Sequence, residues 1–128
     1  MSLRPALGTV LGSGSARAGV EHWWSQRVSA VAAAVLGLWF IYSLLTLPAL
    51  DRAGLIAWLA DPVSATLMLL FLLATFWHSA LGVQVVIEDY VHHKALRVLG
   101  LLAARYLHLL AGGAAAVSVL KLSFGEPA

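Results

Sequence analysis

Three long apolar stretches limit what this chain can fold into. Val28 to Leu50 and Pro62 to Ile87 contain no Asp, Glu, Lys or Arg, and Val98 to Leu120 contains a single charged residue, Arg105. Each stretch reaches the roughly 20 residues that a helix needs to cross the hydrocarbon core of a membrane. Because lipid cannot satisfy backbone polar groups, such stretches must be helical. The sequence therefore predicts an all-α integral membrane protein with three transmembrane helices, at about 28–50, 62–88 and 97–120.

The composition agrees with a membrane protein and excludes several kinds of site. Only 11% of the 128 residues are charged, whereas a soluble domain has about 25%. The chain has no cysteine, which excludes disulfides, thiolate metal sites and iron–sulfur ligation by this chain. The net charge of +2 is interpreted as a topology signal rather than as a nucleic-acid-binding surface.

The distribution of basic residues predicts the orientation in the membrane. On one side lie Arg4, Arg17, Arg27, Lys94 and Arg97, and on the other only Arg52 and Lys121. Positive charges accumulate on the cytoplasmic side, so we expect a cytoplasmic N-terminal segment (1–25), a three-helix anchor domain (26–122) and a short C-terminal tail (123–128). The segment AGLIAWLA between the first two spans is too short to cross and is expected to be a loop or an interfacial piece. Asp61 and Pro62 are expected to cap and begin the second helix.

Two polar features of the second span are not explained by lipid. His78 lies well inside the apolar stretch, and Asp89 and Tyr90 close it. The spacing from His78 to Asp89 places both on one helix face, about 16 Å apart along the axis, with Gly82 one turn from His78 on the same stripe. Neutral imidazole is an axial ligand of haem iron, but a histidine hydrogen-bonded between helices fits the residues equally well.

The Asp89–Tyr90 pair also has two interpretations. A phenol can donate a hydrogen bond to a quinone carbonyl, and a neighbouring carboxylate can orient the phenol or relay protons. Alternatively, both residues are interfacial anchors, and Lys94 or Arg97 offsets the unfavourable position of acids at a helix C-terminus.

The third span contains Arg105 and, one turn later, His108. An arginine in the middle of a bilayer costs about 2.5–3.5 kcal/mol on insertion scales, so we expect a partner, either a haem propionate or an acidic group of another chain. The alternative is an arginine that extends along the bundle towards the interface. His108 is the rival of His78 as a haem ligand.

The stretch HSALGVQVVIEDYVH, with a membrane histidine followed by an Asp-Tyr pair, resembles the small hydrophobic anchor subunit of succinate dehydrogenase, complex II. The segment EHWWSQRVSAV and the three-span layout are similar to that family as well. The resemblance implies that His78 is the axial ligand of haem b and that Tyr90 and Asp89 contribute to the ubiquinone site. It also implies that Arg27 lies near the haem propionates or the quinone mouth.

The resemblance further implies the partners. The chain would form half of a heterodimeric anchor bundle with a second membrane anchor subunit of the cytochrome b556 type. It would help pass electrons to ubiquinone from succinate, by way of a flavoprotein and an iron–sulfur subunit, in the tricarboxylic acid cycle and the respiratory chain. This chain would not be catalytic alone.

Other functions remain open from the sequence. One is a haem b anchor of fumarate reductase or of another quinone-linked dehydrogenase, and another is a non-redox subunit in which His78, Arg105 and His108 form a proton or ion path. The expected location is the cytoplasmic membrane of a bacterium. The mitochondrial inner membrane is the less favoured location. Residues 1–20 have a weak resemblance to an organelle transit peptide, but a flexible Gly/Ser-rich tail before the first helix is the preferred interpretation.

Overall fold

The computed structural model describes residues 16–125, and the regular structure in that range is entirely helical. Helix α1 comprises Ala16–Thr46, α2 Arg52–Ala60, α3 Pro62–Tyr90 and α4 Lys94–Phe124. Within that range three segments are long and apolar enough to cross a membrane: Gly19–Thr46, Pro62–Tyr90 and Lys94–Phe124. The predicted all-α fold with three spans is thus confirmed. The predictions for residues 1–15 and 126–128 lie outside the described residues.

The helices extend beyond the apolar stretches from which the spans were predicted. Helix α1 already begins at Ala16, so residues 16–25 of the predicted N-terminal segment are its first turns. It ends at Thr46 rather than near Leu50, because Pro48 has no N–H and disfavours the helical conformation of the residue before it. Helix α4 continues to Phe124, into the predicted tail.

Aspartate caps set the start of the two central helices. The backbone N–H of Gly54 donates to Asp51 Oδ1 at 2.8 Å, and the N–H of Ser64 donates to Asp61 Oδ2 at 2.8 Å. The bond from Ser64 also holds the pKa of Asp61 below its usual value, because it favours the charged carboxylate. The predicted cap of α3 by Asp61, with Pro62 in the first turn, is confirmed. The AGLIAWLA segment forms the short helix α2.

Helix α3 is the centre of the bundle. It packs against α1 on one flank and against α4 on another, while the backbones of α1 and α4 stay apart over residues 16–125. At the end of the bundle near α2, aromatic rings join the elements: Trp39 stacks on Trp58 with centroids 5.6 Å apart, and Phe40 stacks on Phe71 at 5.4 Å. This cluster fixes α2 against the end of α1 and α3.

The chain buries little of itself. Among residues 19–125, the buried apolar side chains are Leu59, Ala65 and Val119 alone. Large apolar side chains on all three spans are exposed, including Leu38, Leu73 and Leu110. In a membrane these surfaces face acyl chains or other subunits.

Candidate functional site

His78 lies in the seam between α1 and α3, where it contacts a serine of the neighbouring helix. Its Nδ1 lies 3.2 Å from Ser29 Oγ. Ser29 is the one buried polar residue among residues 19–125, with 7% of its surface exposed. The Ser29 hydroxyl also donates to the carbonyl of Gln26, one turn back on α1, at 3.1 Å. The three residues therefore form one hydrogen-bonded chain across the seam.

The contacts of Ser29 are compatible with a hydrogen on Nδ1 of His78. If the hydroxyl of Ser29 donates to the Gln26 carbonyl, which can only accept, Ser29 Oγ is the acceptor for an Nδ1–H of His78. The other nitrogen, Nε2, forms no hydrogen bond within residues 19–125. A metal-binding histidine has this arrangement, with one nitrogen donating to an oxygen and the other available to the metal.

A groove runs along the same seam. It encloses about 820 Å³ and is lined mainly by apolar side chains. Ser29 forms part of its wall, together with Trp24 and Ala32 of α1 and with Leu73 and Trp77 of α3. Gly82 lies one turn from His78, and a Cβ there would lie 3.8 Å from Gln26 Nε2, so this glycine faces α1.

Arg27 lies on α1 next to the residues that contact His78 and Gly82. Its guanidinium carbon is 5.4 Å from the centroid of the Trp23 ring, which stabilises the cation through the ring's negative face. Since Gln26 lies opposite Gly82, Arg27 is about level with that part of α3. Tyr90 is eight residues further along, roughly 12 Å at 1.5 Å per residue, so the two side chains belong to different levels of the bundle.

Asp89 and Tyr90 form the end of α3, and both are exposed. The Tyr90 side chain is 78% exposed, and its backbone carbonyl accepts a hydrogen bond from His92 Nδ1 at 3.1 Å. Glu88 accepts from Gln84 Nε2 at 2.9 Å. Within residues 16–125, neither Lys94 nor Arg97 forms an ion pair with these acids, so the expected compensation by those two residues is not found.

His108 lies in the other seam, between α3 and α4, and both of its ring nitrogens are engaged. Nδ1 lies 2.7 Å from the carbonyl of Ala104, to which it must donate, and Nε2 lies 3.1 Å from Ser79 Oγ. The ring also meets Phe76 edge-on, with centroids 6.4 Å apart. With no free nitrogen, His108 is an interhelical contact in this structure and a poor rival to His78 as a ligand.

The polar groups of the bundle do not converge into a metal centre. Over residues 16–125, no group of three His, Asp or Glu side chains is positioned to hold a metal ion. Any metal that His78 binds would need further ligands from elsewhere. His78 and His108 also lie in different seams, so they do not form the single path that the transport hypothesis requires.

Ser29 is the residue of the candidate site that sequence reasoning missed. Serine inside a membrane helix usually bonds to a carbonyl of its own helix, and it gives no sign in the sequence of which neighbour it meets. The position of Ser29 opposite His78 depends on how α1 packs against α3. No pattern within either helix specifies that alignment.

Comparison with known proteins gives consistent results. The family model described as succinate dehydrogenase/fumarate reductase transmembrane subunit matches residues 1–120. The chain is 37% identical to the succinate dehydrogenase hydrophobic membrane anchor subunit of Rickettsia conorii over 86 residues, which are 66% of this chain and 68% of that protein. It is 33% identical to the same subunit of Rickettsia bellii over 99 residues, 77% of this chain and 78% of the relative. With the subunit of Paracoccus denitrificans it shares 34% over 79 residues, 62% and 61% of the two chains. No solved structure matches the chain.

Proposed function

The chain belongs to the succinate dehydrogenase/fumarate reductase transmembrane subunit family, and from this premise we propose that it holds haem b through His78 and helps form the ubiquinone reduction site. As a multi-pass membrane anchor subunit of succinate dehydrogenase, it associates with the other subunits of that complex. The roles of individual residues and the identity of each partner are the proposal.

The hydrogen-bonded chain from His78 through Ser29 to Gln26 is the observation that carries the haem assignment. It engages Nδ1 of His78 and leaves Nε2 without a partner among the described residues, and a neutral imidazole nitrogen is the kind of ligand that haem iron takes. A bound haem b supplies a centre that accepts and releases one electron at a time. Ser29 would hold the orientation of the ring, and the partner anchor subunit would supply a further ligand.

The groove along the α1–α3 seam supports the same assignment. Its apolar walls and the flanking rings of Trp24 and Trp77 suit a large flat macrocycle, and Ser29, which contacts His78, is part of its wall. Arg27, stabilised by Trp23, is the basic residue at this level of α1 that can pair with a propionate or with the polar end of a quinone.

Tyr90 and Asp89 would contribute to the quinone site. The exposed phenol can donate a hydrogen bond to a quinone carbonyl. This hydrogen bond would stabilise the negative charge that builds up on the carbonyl oxygen during reduction. Asp89, its neighbour at the end of the helix, would orient the phenol or supply protons from the aqueous side.

The small buried area of the chain supports assembly with other chains. Three buried apolar side chains among residues 19–125 are few for a bundle that stands alone. We infer that the chain is one half of an anchor bundle whose other half is the second membrane anchor subunit. The flavoprotein and the iron–sulfur subunit would bind at the end of the bundle that carries Tyr90.

The family description names two enzymes, so fumarate reductase is the second candidate. The relatives from Rickettsia and Paracoccus are named as succinate dehydrogenase subunits, which favours succinate oxidation. Measuring succinate–quinone and quinol–fumarate activities of the purified complex separates the two, and faster fumarate reduction would favour the second candidate.

The haem assignment is tested by comparing the two membrane histidines. The purified complex should give a reduced-minus-oxidised b-type spectrum, which His78→Ala should abolish or strongly reduce. His108→Ala is the matched control, and it should retain haem because its nitrogens bond to Ser79 and Ala104. A His78→Ala complex with the wild-type haem content per flavin would contradict the proposal.

A further inference from the structure

Arg105 is a cation that the proposed haem and quinone sites do not use. It lies on α4 with its side chain exposed, and it forms no hydrogen bond or ion pair within residues 16–125. The contact between Ser79 and His108 places the middle of α4 at the level of the middle of α3. Arg105 is less than one turn from His108, so it is close to the depth of His78.

The position of Arg105 along α4 can be compared with the thickness of the bilayer. Lys94 and Lys121 near the ends of the helix are about 40 Å apart, and Arg105 is about 16 Å from Lys94 at 1.5 Å per residue. If a hydrocarbon core of about 30 Å is centred between the lysines, the Arg105 backbone lies about 11 Å below the nearer edge. An arginine side chain is too short to place its guanidinium fully among the head groups from that depth.

Residues 19–125 offer no anion at the same depth. The carboxylates of the described residues lie towards the ends of the helices, at Glu21, Asp51, Asp61, Glu88 and Asp89. Glu88, near the end of α3, accepts from Gln84. The charge of Arg105 must therefore be neutralised from outside the chain, because an unpaired cation in hydrocarbon is costly.

The neighbours of Arg105 favour a protein partner over a lipid phosphate. Tyr106, 62% exposed, adds a second polar group at the same depth, and exposed leucines such as Leu102 and Leu109 surround the pair. We propose that this face of α4 packs against a transmembrane helix of a partner subunit, and that an Asp or Glu of that helix pairs with Arg105. The inference rests on assembly into the complex and not on haem or quinone binding.

The proposal is tested on the whole complex with three variants. Arg105→Met removes the charge and keeps a long side chain. Because the substitution also makes α4 easier to insert into the membrane, a loss of assembly cannot be attributed to failed insertion. We expect the membrane partner to be lost from the purified Arg105→Met complex at least tenfold, with Arg105→Lys largely restoring it. Arg97→Met, an exposed cation at the start of the same helix, is the control and should assemble normally.

The readout is the ratio of partner subunit to this chain, so it is independent of haem content and of activity. A wild-type ratio and an unchanged melting temperature for Arg105→Met would overturn the proposal. The complexes are also compared in a phosphate-free, non-ionic detergent and in nanodiscs that contain phosphatidylglycerol. If the stability gained from Arg105 appears only with the anionic lipid, the anion is a lipid phosphate and the partner helix is excluded.

Discussion

At the scale of single residues, hydrogen-bond partners distinguish the two histidines of the membrane helices. His78 and His108 are both half-buried histidines of membrane helices, and their sequence surroundings give little reason to prefer one. Their hydrogen-bond partners distinguish them, because Ser29 engages one nitrogen of His78 whereas Ala104 and Ser79 engage both nitrogens of His108. A nitrogen without a partner is the property that a metal ligand needs.

Ser29 is predicted to support the haem ligand. In Ser29→Ala the Nδ1–H of His78 loses its acceptor, so the ring is free to rotate and to change tautomer. Loss of such a supporting hydrogen bond typically costs 10–100-fold in metal affinity, which haem titration of the purified complex would detect. Ser29→Thr keeps the hydroxyl and should retain haem. Ser118→Ala is the control, because the Ser118 hydroxyl donates to Ala114 of its own helix; equal haem affinity in Ser29→Ala and Ser118→Ala would argue against this role.

Tyr90 is predicted to act on quinone and not on haem. Tyr90→Phe keeps the ring and removes the phenolic donor, so quinone reduction by the complex should slow by roughly 100- to 1,000-fold, in line with loss of one positioned donor. The haem spectrum should be unchanged, since Tyr90 is about 18 Å from His78 along α3. Steady-state succinate–quinone kinetics with an unaltered rate would show that the donor has been assigned wrongly.

At the scale of helices, the seam between α3 and α4 contains glycines of α4 that lie against large side chains of α3. A Cβ at Gly112 would lie 3.3 Å from Phe76 Cγ, and a Cβ at Gly100 would lie 3.4 Å from the Ile87 side chain. The adjacent Gly113 has nothing within 4 Å of that position. Small residues at such contacts allow membrane helices to approach closely.

This pair of adjacent glycines gives a matched test of the seam. Gly112→Leu should force Phe76 away and separate α3 from α4, at a cost of about 1–3 kcal/mol in the free energy of unfolding. Gly113→Leu changes helix propensity by the same amount without meeting Phe76. Thermal unfolding of the two variants in detergent should therefore differ, and equal melting temperatures would mean that the Gly112 contact contributes nothing to the packing of the bundle.

At the scale of the whole molecule, the distribution of charged residues predicts which end of the bundle faces the cytoplasm. The end of α3 at Tyr90 and the start of α4 at Lys94 lie at one end of the bundle, and Asp51 and Asp61 lie at the other. Arg27 lies in the half of α1 nearer to the first end. The excess of basic residues at the first end predicts that it is cytoplasmic. The soluble subunits would then meet the bundle beside Tyr90.

The absence of cysteine from the sequence allows a direct test of this orientation. His92→Cys and Ala53→Cys each introduce a single thiol, at exposed positions on opposite ends of the bundle. A membrane-impermeant maleimide added to intact cells should label Ala53→Cys and spare His92→Cys, whereas inverted membrane vesicles should give the opposite result. Labelling of His92→Cys in intact cells would reverse the topology.

The sequence by itself determined the three spans, the cap at Asp61 and the candidate residues His78, Asp89 and Tyr90. These depend on local properties: hydrocarbon demands uninterrupted apolar helices, and caps act within one turn. The tertiary structure alone decided that Ser29 meets His78, that Ser79 meets His108 and that Arg105 is left without a partner in the described chain. Those facts depend on how one helix aligns with another, and side chains far apart in the sequence set that alignment together.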